Sequence, residues 1–108
     1  MHPNHLKYAQ QSLSAFIYSA IQRHAYSGDF AYRFSIDEDD IRSALGLSRG
    51  IKSSVLADYV AYFEAKGVQA TENMGSIDLV LNLNDVSLNP AQAEALNAAL
   101  ALFRTEHG

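Results

Sequence analysis

Cysteine is absent from the 108 residues, which excludes a disulfide framework, a Cys-based zinc site and a thiol nucleophile together. The cytoplasm is the expected compartment. No apolar run reaches the roughly 18 residues of a membrane span, and the opening MHPNHLKYAQ lacks the basic-then-apolar order of a signal peptide. No membrane partner is expected. Positive charge is scarce as well: eight Lys and Arg against twelve Asp and Glu give a formal net charge of −4. Non-specific nucleic-acid affinity comes from cations neutralising phosphates, so this balance argues against it. Enzyme signatures are missing too, with no Gly-rich phosphate loop, no G-x-S-x-G and no H-E-x-x-H. The expectation is a protein that is not an enzyme and carries no cofactor. His2, His5, His24 and His107 have no Cys or close carboxylate to complete a metal site, so no metal is expected.

What is present is apolar and aromatic: 48% hydrophobic residues, with six Tyr and five Phe. That is enough to fill the core of a single domain over residues 1–108. Between Leu6 and His24, apolar residues recur every three or four positions, the period of an amphipathic helix. FAYRFSI, residues 30–36, sets its bulk on alternate positions and predicts a strand. SIDE then fits a capping box with Ser35 as N-cap and Glu38 as its partner. In that frame Asp37, Glu38, Asp39 and Asp40 occupy a first helical turn, where the helix dipole favours carboxylates.

Gly46 is placed to end that short helix in a left-handed conformation, and Ser48 to cap the next. The next helix is expected from about Arg49 or Gly50 to Lys66, on the repeat Ile51, Val55, Leu56, Tyr59, Val60, Phe63. Two runs of period two flank NMG and predict a hairpin with Gly75 at the turn. LNPAQ opens a last helix, about residues 90–106, with Asn89 as N-cap and Pro90 at N1. Loose ends are expected at Met1–Asn4 and His107–Gly108. The fold class predicted is α+β, in the order helix, strand, helix, turn, helix, hairpin, helix.

This order, with DIRSALGLS, then a helix ending FEAKGVQAT, then a wing-like hairpin, resembles the winged helix-turn-helix domains of bacterial transcriptional regulators over about residues 6–84. One departure is local: an apolar residue usually falls six positions after the turn glycine, and here that position is Lys52, with Ile51 one residue early. The resemblance implies that the helix after the turn enters the major groove and that flanking helices form a homodimer. Carried over, Arg49, Lys52, Ser53 and Ser54 would lie nearest double-stranded DNA, Arg33 and Arg42 on phosphates, and Asn73–Ser76 at the wing tip. Leu96, Leu100 and Phe103 on the last helix would supply the dimer edge.

The rival expectation is a protein-protein interaction module. Its surface would be Asp37, Glu38, Asp39 and Asp40 together with Tyr59 and Tyr62, because Tyr is enriched at interfaces and the wing holds no base.

Overall fold

The computed structural model describes residues 1–107; Gly108 lies outside them. The elements are α1 (Pro3–Ser27), β1 (Ala31–Asp37), α2 (Glu38–Leu45), α3 (Ser53–Ala65), β2 (Gln69–Asn73), β3 (Ser76–Asn82) and α4 (Pro90–His107). Among the described residues the fold is α+β, four helices around one antiparallel sheet ordered β1-β3-β2.

The long first helix buries the stripe its spacing predicted: Ala9, Leu13, Ile17, Ala20, Ile21 and His24 all face inward. It begins at Pro3, with the His2 side chain accepting from the Asn4 N–H at 3.1 Å, so the expected loose N-terminus is helical from Pro3. It ends at Gly28, whose φ of 74° is the left-handed cap and whose N–H donates to His24 O. A side chain there would also collide with the Phe103 ring. Glycine is thus required twice over.

In β1 the residues Tyr32, Phe34 and Ile36 turn inward while Ala31, Arg33 and Ser35 are exposed. They stand opposite Leu81, Leu79 and Ile77 of β3, and the period of two puts all six on the helix side of the sheet. Phe63, Leu56 and Tyr59 of α3 complete the core. α4 packs along α1 and is anchored by a reciprocal box: Gln92 N–H donates to Asn89 Oδ1 at 2.8 Å, and Asn89 N–H to Gln92 Oε1 at 2.9 Å. The predicted N-cap of that helix is therefore present, with a buried glutamine as its partner.

Two further boundaries differ from the sequence reading. The box at the start of α2 is Asp37 with Asp40, because β1 continues through Ser35 to pair Asp37 with Ser76. A residue held in the ladder cannot also turn into a helix, so the cap falls two positions later. The third helix starts at Ser53 with Lys52 as N-cap and no side-chain cap bond. Residues 46–52 form an irregular connection longer than the about 3–4 residues of a tight helix-turn-helix turn, and Ser48 caps nothing.

Candidate functional site

The hairpin between β2 and β3 turns through Met74 and Gly75, with φ of 51° and 83°. Positive φ at both central residues marks the turn that matches strand twist. Only the glycine was legible there; methionine adopts this conformation at a cost of order 1–3 kcal/mol. Met74 is 98% exposed, a large apolar side chain held out at the tip.

The tip is not a free wing. Pairing of β1 with β3 runs to the hairpin's end, and the Glu38 N–H continues the ladder by donating to Gly75 O at 3.2 Å. The start of α2 is thereby fastened to the tip, and a shallow open depression is lined by Asp37, Glu38, Asp39, Arg42, Met74 and Gly75. Within α2 the Asp40 N–H donates to Asp37 Oδ1 at 2.8 Å, and the Asp37 N–H to Asp40 Oδ2 at 3.0 Å. Two of the four carboxylates are thus engaged in capping. The Arg42 guanidinium donates to the Asp39 carboxylate. Glu38 lies beside Gly75.

The six residues expected at DNA do not form one face. Arg42 is spent on Asp39. Arg33 lies on the outer surface of β1, opposite Val80 and two pairs along the register from Asp78. Arg23, a further base in the sequence, stacks over the rings of Phe34 and Tyr32, at 5.3 and 5.9 Å from their centroids. Arg49, Lys52, Ser53 and Ser54 are all exposed, but Arg49 and Lys52 sit in the connection ahead of α3 rather than on it. Further along α3 the exposed residues are Ala57, Asp58, Ala61, Glu64 and Ala65, small or acidic throughout.

Tyr59 is a correction to the rival surface. It is fully buried, and its hydroxyl lies 2.7 Å from His5 Nδ1; the ring edges onto those of His5 and Tyr8. Its position on the helical repeat with Val55, Leu56 and Phe63 carried that information, against the general enrichment of Tyr at interfaces. Burial pushes the Tyr59 phenol far above the ordinary tyrosine range, with Tyr8 adding to the effect. Tyr62 is half-buried against Phe63, and Lys66 lies 5.8 Å over its ring. Burial raises its phenol also.

The expected dimer edge is used within the chain. Leu96 is buried, Leu100 is half-buried against the core, and Phe103 closes over Gly28 and His24. Leu102 is the large apolar residue that α4 leaves exposed. His24 itself escaped the sequence reading as anything but a stripe residue. Its Nδ1 lies 2.7 Å from Asp29 O, so that nitrogen carries the proton and donates. Nε2 is buried with no partner among the described residues.

Among the described residues no cluster of three His, Asp or Glu is placed to hold a metal ion, and no helix is long and apolar enough to cross a membrane. Compared with known proteins, the chain matches no family model, no curated protein and no solved structure.

Proposed function

We propose that the protein is a winged-helix-like, non-enzymatic binding module that takes a protein partner bearing basic side chains against the joined surface of α2 and the hairpin tip. The observation that carries this reading is the Glu38 N–H to Gly75 O bond. It sets Glu38, together with the Asp39 carboxylate that Arg42 already pairs, in the same depression as the exposed Met74. An apolar contact thus stands next to the Glu38 carboxylate, which is free among the described residues. Phosphate is disfavoured at such a surface, because carboxylates already fill the helix N-terminus that would otherwise bind it. An Arg or Lys beside an aliphatic side chain matches both features.

DNA binding by a transcriptional regulator is the second reading, favoured by Arg49, Lys52, Ser53 and Ser54 lying exposed in one stretch with no acidic neighbour in sequence. Two cations give only a shallow salt dependence, a slope of roughly −1.8 in log affinity against log salt. One set of variants separates the two. Under the first reading, affinity capture followed by direct binding identifies a protein partner that is lost with Glu38→Lys and Asp39→Lys and kept with Arg49→Ala and Lys52→Ala. The opposite pattern, with a low-salt mobility shift on the DNA upstream of its own gene that needs Arg49 and Lys52, replaces it with the second.

A further inference from the structure

β1 is an edge strand, and its ladder fixes which of its backbone groups are free. At one end the Leu83 N–H donates to Phe30 O at 2.9 Å, and at the other the Glu38 N–H donates to Gly75 O at 3.2 Å. Between them Tyr32 stands opposite Leu81, Phe34 opposite Leu79 and Ile36 opposite Ile77. Hydrogen bonding alternates along an antiparallel pair. The even-numbered residues therefore bond to β3, and the N–H and C=O of Ala31, Arg33 and Ser35 point away from the sheet. The next outward donor, Asp37 N–H, is taken by Asp40 Oδ2. Among the described residues no backbone group of a turn, loop or cap bonds to the outward groups of the other three.

This edge is electrically polarised along its length. Arg33 stands on its outer side, and Arg23 lies over Tyr32 and Phe34 on its inner side. Asp37 and Asp40 close its C-terminal end. A strand with basic and acidic ends is complementary to an inverted copy of itself. Aromatic surface is waiting there as well: Phe34 stacks on Phe16 with centroids 4.5 Å apart, and both rings remain only partly buried.

We propose that two copies of the chain pair antiparallel through β1 about a two-fold axis at Phe34, joining two sheets into one. Arg33 then faces Ser35 of the second copy, and each such pair exchanges both of its N–H···O bonds. Ala31 faces Asp37 of the second copy, which lies diagonal to Arg33. Phe34 meets Phe34 of the second copy at a non-hydrogen-bonded position, where side chains approach most closely. Neighbouring registers are worse. An axis at Arg33 sets the two guanidinium groups opposite each other. The Asp37 N–H is held by Asp40, so any pair that includes Asp37 keeps one bond instead of two. An axis at Phe34 confines this to the outermost Ala31–Asp37 pairs and leaves both Arg33–Ser35 pairs complete, whereas an axis at Ser35 leaves only the central Ser35–Ser35 pair complete. The interface is isologous and closes on itself. Asp37 borders both surfaces, but the variants that test them differ, Glu38→Lys and Asp39→Lys for partner capture and Arg33→Glu and Phe34→Cys for pairing, so either can fail alone.

Because the chain has no cysteine, one introduced cysteine reads the register directly. Phe34→Cys is expected to form an intermolecular disulfide, since a non-hydrogen-bonded pair holds Cα atoms about 4.5 Å apart, inside the disulfide range of about 4.4–6.8 Å. Ser35→Cys is expected to cross-link far more slowly. In sedimentation velocity the unaltered chain should be a dimer, and Arg33→Glu, which meets Asp37 of the second copy, should weaken it about tenfold. Ser35→Pro removes an outward N–H that the chain's own sheet does not use, and should be folded by circular dichroism and monomeric in sedimentation velocity. If that variant fails to fold, Arg33→Glu and the two cysteine variants decide. A chain that is monomeric at every concentration overturns the proposal, as does a dimer indifferent to Arg33→Glu, or one that cross-links faster through Ser35→Cys.

Discussion

The two ends of the molecule are built by different forces. Around α1, α4 and the inner face of the sheet, positions are set by packing: Phe63, Tyr59, Ile77 and Leu81 are fully buried, and Phe103 sits where a Cβ on Gly28 would have to be. Around α2 and the hairpin tip, positions are set by caps and backbone bonds among exposed groups. Packing energy scales with area and resists single changes poorly in the core, whereas exposed caps contribute about 1 kcal/mol each. The first end should therefore be stiff and intolerant, and the second tolerant of change and available to a partner.

The largest expected break is in the packed end. Phe63→Ala should cost about 3–5 kcal/mol, the usual loss for a buried ring, and for a domain of this size thermal unfolding should register it as a drop of well over ten degrees. A loss under about 1 kcal/mol would mean that α3 is not held by the core. Next is Gly28→Ala, at roughly 1–3 kcal/mol for a non-glycine residue in the left-handed region, with a further penalty from the Phe103 ring. Adding Phe103→Ala separates the two: if the ring collision matters, the double variant loses less than the sum. Asp37→Ala tests the other end. It removes the α2 cap and should cost about 1 kcal/mol, while leaving the sheet intact by circular dichroism.

The same division explains what could be read from the sequence. The stripe on α1, the alternation in β1 and β3 and the Asn89–Pro90 start of α4 are periodic or stereotyped signals, and each stands where its residues indicate. The cap of α2 was displaced because two boxes were available in the same run, Ser35 with Glu38 and Asp37 with Asp40, and only the pairing of β1 with β3 decides between them. The start of α3 was misplaced for a related reason: nothing in LGLSRGIKSS states how far the chain travels before turning. Tyr59 belongs both to the apolar repeat of α3 and to the tyrosines expected at an interface, and the fold decides between them, since His5, the group that satisfies its hydroxyl, lies on another helix. The joining of the hairpin tip to α2 is a long-range backbone bond and leaves no mark on local residue types.

The smallest effect lies within the packed end, where His5 on α1 reaches Tyr59 on α3. Burial lowers the His5 imidazole below its ordinary value of 6.5, neighbouring His2 lowers it further, and Asp58 opposes both. A lowered value in the folded state means that the unfolded chain binds this proton more readily, so stability rises with pH through this window. The contribution is complete above pH 6.5 and is lost as the pH falls below it. Tyr59 acts at the opposite limit: its raised phenol is protonated in the fold when the unfolded chain has begun to ionise, so stability falls as the pH rises past 10. Denaturant midpoints should therefore decline gently on the acid side of 6.5 and again above 10. His5→Gln should flatten the acid part of the imidazole response and leave the alkaline fall in place. An acid decline unchanged by His5→Gln would show that the His5 imidazole is not its source.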